Sequence, residues 1–327
     1  MNRVCEILGI KKPVVQGSMT WITSAELVAA VSNAGGMGIL GFNAGQTEMT
    51  PDPVETAERM RNEIRKTRQL TEKPFAVTYM MPMPGDVFGA PLLKVILEEN
   101  VKIIFVLGFG FDMDHETEVI RDLKAKGLTV LYRSIDATVD GSKKIEDAGA
   151  DIIVATGFDE GGGLSTNSTT MGTFTMVPMI VDAVSIPVMA AGGIVDKRSA
   201  KAAFALGAEG LYVGTRFIAS KECRASQACK DQIVNGQASD LLQYRDKSNY
   251  WRSLPTGAAQ RAYDAYVKGE DAEVVDQFAN GTGGLCAGQL FGDLENGINC
   301  VSTAIGSIKD VKTCQEIIDE LTSGFEW

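Results

Sequence analysis

Histidine is almost absent from this sequence: His115 is the single one in 327 residues. That scarcity excludes a His-rich metal centre, so no metal site is expected, and it leaves one candidate for imidazole-based proton transfer. Positive charge is also in deficit, with 31 Lys and Arg against 42 Asp and Glu and a formal charge of −11. Such a chain repels polyanions at long range, so neither nucleic acid nor an anionic membrane surface is expected as a partner. The six cysteines, Cys5, Cys223, Cys229, Cys286, Cys300 and Cys314, form no CxxC pair, which argues against a zinc ribbon or thioredoxin-type motif. No apolar run is long enough to span a bilayer, and residues 1–13 lack the apolar centre of a signal peptide. The expectation is a soluble, cytoplasmic protein with reduced thiols.

Glycine, by contrast, is plentiful at 35 residues, clustered at the ends of apolar runs: Gly35-Gly36, Gly161-Gly162-Gly163, Gly192-Gly193 and Gly214. Glycine at a strand end lets backbone approach a ligand closely, which suggests loops shaped around a cofactor. The apolar runs themselves predict strands at Pro13–Gly17, Met37–Gly41, Phe75–Met80, Ile103–Leu107, Thr129–Arg133, Ile152–Ala155, Pro187–Ala191 and Leu211–Gly214. Most are continuously apolar, as parallel strands buried on both faces must be. Helical patterns alternate with them at 24–34, 53–67, 87–100, 116–126, 137–148, 175–184 and 197–206, the last with Asp196 as its expected N-cap. Eight such units predict an α/β fold, a (β/α)8 TIM barrel. A doubly wound sheet would carry GxGxxG after its first strand, where this chain has Gln16-Gly17-Ser18-Met19.

After Phe217 the alternation stops. Residues 223–297 read as a polar, strand-poor helical subdomain. Residues 298–327 read as a C-terminal helix that returns to the barrel, leaving 1–222 as the barrel. Barrel enzymes often hold a phosphate between the loops after strands seven and eight, and here those loops carry Gly192-Gly193 and Gly214-Thr215.

Ile186-Pro-Val-Met-Ala-Ala-Gly-Gly-Ile194, Ala202-Ala-Phe-Ala-Leu-Gly-Ala208 and Val213-Gly-Thr-Arg-Phe217 together resemble the FMN-dependent nitronate monooxygenase family, formerly 2-nitropropane dioxygenase. That family includes the flavin-type enoyl-acyl carrier protein reductases. Pro13-Val-Val-Gln-Gly-Ser-Met19 and Ala29-Ala-Val-Ser-Asn-Ala-Gly-Gly-Met-Gly38 are similar to it as well. The resemblance implies a flavoprotein whose helical subdomain lies beside the active site. It implies that Gly192, Gly193, Gly214 and Thr215 hold the FMN phosphate, and that Gln16, Gly17, Ser18, Met19, Gly161 and Gly162 line the ring. It places Thr78 against the flavin where relatives usually have Asn, and Arg133 where some have Lys.

The family's catalytic His falls at Gly163 when the loop Gly157-Phe-Asp-Glu-Gly-Gly-Gly163 is aligned on its paired glycines. His115 lies elsewhere and is expected to be structural or solvent-facing. Asp159 and Glu160 are adjacent acids in that loop, and a carboxylate buried near a flavin face could act as acid or base; Arg133 could stabilise negative charge on the reduced ring. Asp159, Glu160 and Arg133 are therefore the candidate catalytic residues. Ser165, Thr166, Ser168, Thr169 and Thr170 form a polar loop suited to a phosphate or substrate. Tyr79 and Tyr132 are further candidate donors, with packing as their alternative role.

The resemblance implies an FMN-dependent oxidoreductase that oxidises a small nitronate-like substrate with oxygen, its chemistry altered by the missing His. One alternative is an NAD(P)H-dependent enoyl-acyl carrier protein or alkene reductase. An acidic acyl carrier protein is disfavoured by the charge unless Arg216, Lys221, Arg224 and Lys230 form a basic patch. A second alternative is a flavin-binding protein without catalysis. A homo-oligomer is possible.

Overall fold

The computed structural model describes residues 2–164, 170–247 and 249–325. In chain order its first strands are β1 (Val14–Gln16), β2 (Gly38–Leu40), β3 (Phe75–Met80), β4 (Ile103–Gly108), β5 (Thr129–Ser134) and β6 (Ile152–Thr156). A short β7 (Gly162–Leu164) leaves the barrel, and β8 (Val188–Ala191) and β9 (Gly210–Val213) return to it. The eight barrel strands are all parallel, in the order β1-β9-β8-β6-β5-β4-β3-β2. The ring closes at a single bridge between Val15 and Met37. There Gln16 N–H donates to the Met37 carbonyl at 2.9 Å, and Met37 N–H to that of Val14 at 3.0 Å. All eight expected strands are present, so the TIM-barrel reading holds.

Strand parity sorts the core. Val15, Ile39, Ala76, Phe105, Leu131, Val154, Met189 and Tyr212 point inward and pack on one another. The alternate residues Val14, Val77, Ile104, Val130, Ile153 and Leu211 point outward to the helices. An N-terminal helix, Arg3–Leu8, inserts Val4, Cys5 and Leu8 into the inward cluster and plugs that end of the barrel. Free space is thereby confined to the opposite end, where the strands terminate. Each expected helix is present with ends shifted by a few residues; Lys197–Ala205, for example, starts where Asp196 accepts the Arg198 and Ser199 N–H groups, both at 2.9 Å.

The stretch 223–297 departs from its reading. Helices Gln227–Asn235, Gly257–Val267, Ala272–Ala279 and Gly281–Leu285 are there. So are two strands, β10 (Leu242–Arg245) and β11 (Tyr250–Leu254), paired antiparallel. With β12 (Asn299–Cys300) and β7 they make a second, antiparallel sheet with β11 at its centre. The segment is thus mixed rather than strand-poor. The hairpin is four and five residues long around a polar turn, too short to stand out beside flanking helices. In 298–325 only Cys314–Leu321 forms an α-helix. It packs Cys314, Ile317, Ile318 and Leu321 into the outer core. No helix of the described residues is long and apolar enough to cross a membrane.

Candidate active site

A cavity of about 350 Å³ opens at the C-terminal end of the barrel. That volume falls in the range of small-molecule sites. Its floor is built from inward-facing strand residues, Phe105, Leu107, Arg133 and Tyr212, and its walls from the loops that follow β1, β6, β8 and β9. The second sheet closes one side through Asn249, Trp251 and Cys300.

The loops after β8 and β9 form a glycine cradle, packed at Gly192 and Gly193 and open at Gly214. Gly192 and Gly193 have φ of +93° and +73°, a region in which side-chain-bearing residues are strained. At Gly214 an added Cβ would meet nothing nearer than Met19 Sδ at 4.0 Å. The bare backbone there faces empty cavity rather than a packed neighbour. Thr215 Oγ1 accepts the Ser302 N–H at 3.0 Å, which leaves its own proton free for a ligand. Glycine backbone and a free hydroxyl proton are a donor set that suits a phosphate, and Asp159, which borders Gly193, has its carboxylate taken by Thr173 and Thr303. The sequence-predicted phosphate residues therefore come together, and Ser302, from the C-terminal segment, joins them on the cavity wall.

Gly17, Ser18, Met19, Gly161 and Gly162 also line the cavity. Gln16 and Thr78 stand behind the wall instead. Gln16 is fully buried and its Oε1 accepts the Ile39 N–H at 3.2 Å, extending the closing seam of the barrel. Thr78 is equally buried and donates its hydroxyl to Ser18 Oγ at 2.8 Å, so it positions a wall residue rather than forming the wall.

Of the three candidate catalytic residues, two face the cavity. Arg133 pairs with Glu160 and donates from Nε to Thr156 Oγ1 at 3.0 Å. Burial pulls the Arg133 pKa below the ordinary guanidinium range, an effect the neighbouring Tyr212 hydroxyl opposes. Asp159 does not line the cavity. Its Oδ2 accepts the Thr173 N–H at 2.6 Å and its Oδ1 the Thr303 hydroxyl at 3.2 Å, so its carboxylate braces the loop. Glu160 is engaged by Arg133, so both acids serve first to hold the loop in place.

Tyr212 was not anticipated. It stacks on Phe105 with ring centres 5.1 Å apart, and its hydroxyl accepts the Ser18 N–H at 2.8 Å. Burial pushes its pKa up to about 12, with Arg133 and the Ser18 N–H pulling the other way. Strand parity could have found it, because Tyr212 lies two residues before Gly214 on the inward face of β9. Arg252 on β11 was also missed. Its Nη1 donates to the Phe158 and Glu160 carbonyls at 2.9 and 2.6 Å, and its guanidinium lies 4.9 Å from the Phe158 ring centre.

The tyrosines proposed from sequence lie outside. Tyr132 is bound to Glu116 on the helical side of the barrel, and Tyr79 is buried there too. His115, in the first turn of the helix Met113–Ala125, anchors the loop after β3 by a 2.7 Å hydrogen bond between Nε2 and the Pro82 carbonyl, a structural role as expected. Ser165, Thr166, Ser168 and Thr169 fall outside the described residues, and Thr170 is exposed. The basic patch does not form. Arg216 and Lys230 are buried, Arg216 against Asp310 and Lys230 on the Cys223 carbonyl at 2.7 Å.

Comparison with known proteins is consistent with this geometry. The family described as nitronate monooxygenase matches residues 1–324. A probable nitronate monooxygenase of Staphylococcus aureus (strain JH9) is 33% identical over 276 residues, 74% of each chain. A dehydrogenase of Rhodococcus jostii, named for an octahydro-indene carboxyl-CoA substrate, is 30% identical over 97% of this chain and 94% of its own. Among solved structures, FabK from Thermotoga maritima superposes with a TM-score of 0.85 at 32% identity, covering 98% of this chain and 94% of that one.

Proposed function

This chain belongs to the nitronate monooxygenase family and is an oxidoreductase, and on that premise we propose that it binds FMN at the barrel mouth and oxidises a small nitronate-like substrate with oxygen. The observation that carries the cofactor is the glycine cradle between β8 and β9, open at Gly214 and bordered by Thr215. Gly192, Gly193, Gly214 and Thr215 would hold the phosphate, and Gly17, Ser18, Met19, Gly161 and Gly162 would border the ring. Bound flavin supplies two-electron oxidation and reduction, which side chains alone do not.

The chain's own residues prepare the site for that chemistry. Arg133 places a buried cation beside the Tyr212 hydroxyl, where it can stabilise developing negative charge. The Tyr212 oxygen accepts the Ser18 N–H, so its own proton points elsewhere and is available to a ligand. Phe105, Leu107, Phe109 and Trp251 keep water from the floor. A side chain at 163 is lacking, so nitronate oxidation is expected to be slow.

A second reading, NAD(P)H-dependent reduction of an α,β-unsaturated acyl thioester, is favoured by one feature. Arg133 and Glu160 are the charged residues of the lining among those described, and they pair with each other. The rest is largely apolar, extending to exposed Met80 at the rim. Such a site suits an uncharged, apolar substrate better than a free anion.

The cofactor is tested by Gly214→Asp, which adds bulk and negative charge where the phosphate would sit. The wild-type protein should purify with FMN or bind it stoichiometrically. The variant should keep the apo melting temperature, because Gly214 has room for a Cβ, yet bind no FMN; stoichiometric FMN in it overturns the cradle. Oxygen uptake with propyl nitronate would favour the first activity. NADH oxidation dependent on crotonyl-CoA would favour the second, and turnover of neither overturns both.

A further inference from the structure

We infer that Asn249, on the hairpin turn of the second sheet, is a substrate-contacting residue whose side-chain amide holds an oxygen of the substrate. The inference rests on the reading of the cavity as the active site, and deepens it by assigning the polar group that orients what enters.

Three observations converge on Asn249. It lines the cavity, yet no described residue hydrogen-bonds its side-chain amide, although its backbone N–H and carbonyl are both taken by Asp246. It faces Gly163, where a Cβ would lie 3.4 Å from both Cγ and Nδ2 of Asn249. The amide therefore sits within van der Waals contact distance of the loop position at which a side chain is missing. Finally, its backbone is anchored. Asp246 is buried, accepts the Asn249 N–H at 2.8 Å through Oδ1 and the Trp251 Nε1–H at 2.5 Å through Oδ2. One carboxylate thus fixes two adjacent wall residues, and Trp251 is itself paired in register with Gly163.

An amide with a free donor on an anchored backbone, facing a largely apolar cavity, is suited to a single oxygen acceptor. A thioester carbonyl and a nitro or nitronate oxygen share that chemistry. Asp246 acts through Asn249 and Trp251, and is a positioning residue.

The test uses the FMN-loaded full chain with crotonyl-CoA and with 1-nitropropane as probes. Binding is followed by flavin absorbance or intrinsic fluorescence, apart from turnover, and FMN affinity is measured separately. Asn249→Ala should weaken the bound probe about fivefold, the worth of one neutral hydrogen bond, with FMN affinity unchanged. Asn249→Asp should weaken it further, because a carboxylate repels an acceptor oxygen. Asp246→Asn should weaken it less and should shift the Trp emission, which a purely structural loss at a distance would not do. Whichever probe responds identifies which oxygen is held. Equal probe affinity in wild type and Asn249→Ala, or no binding of either probe by FMN-loaded wild type, overturns the inference. Failure of the wild type to bind FMN overturns the cofactor reading instead, and the same probe titrations on the apo chain then decide Asn249 by the same comparison.

Discussion

Tyr212 shows how much one residue can carry. It packs in the barrel interior, receives the Ser18 N–H and lies beside Arg133. Its pKa of about 12 exceeds the unfolded value near 10 because burial disfavours the phenolate. Below pH 10 both states keep the proton, and the contribution to stability is whole. Above it the unfolded chain ionises first, so stability falls until about pH 12. Tyr212→Phe should flatten that alkaline loss relative to wild type, seen in denaturant melts between pH 9 and pH 12. At neutral pH the same variant should be less stable by about 1–3 kcal/mol, because the Ser18 N–H loses its acceptor. An unchanged alkaline slope would remove Tyr212 from the explanation. The adjacent acids teach the opposite lesson. Asp159 and Glu160 were equivalent as letters, and only their partners separate a loop brace from a residue of the cavity wall.

Among the elements, β11 does most to shape the site. Its centre pairs with β7, and Arg252 reaches from it to the Phe158 and Glu160 carbonyls. A strand of the second sheet therefore holds the loop that follows β6. Arg252→Ala leaves two carbonyls without their donor and removes the cation over Phe158, at a cost of about 2–4 kcal/mol. Hydrogen exchange should then accelerate across Gly157–Leu164, and FMN should dissociate faster. Unchanged exchange in that loop would show that β7 pairing alone is sufficient. The barrel strands were legible because most are continuous apolar runs, and six of the eight end in or are followed by glycine. The β10–β11 hairpin was not, since its alternation spans four and five residues and its pairing with β7 lies far away in the chain.

The whole molecule depends on a ring that closes at one narrow seam. Beyond the Val15–Met37 bridge, the closure is extended by the Gln16 side chain on the Ile39 N–H. Gln16→Leu keeps the volume roughly but leaves that amide buried and unpaired, costing about 1–3 kcal/mol. A lower melting temperature together with faster exchange of the Ile39 amide is the expected result. If stability falls without faster exchange at Ile39, the side chain matters for packing and not for closure. On the proposed function, FMN added to the variant should offset part of the loss, growing with the logarithm of its concentration above Kd.

From sequence alone came what local chemistry dictates. Continuous apolar strands, helices capped by residues such as Asp196, and glycines at strand ends all follow from neighbours a few positions apart. The resulting barrel places its glycine loops at one end regardless of detail. Tertiary structure decided which residues meet inside that end. Ser302 reaches Thr215 across 87 positions, Arg252 reaches Glu160 across 92, and Gly163 faces Trp251 through a sheet that no local pattern announced. Such contacts are fixed by the packing of whole elements, so the identities of the cavity's polar groups emerge only once those elements are assembled.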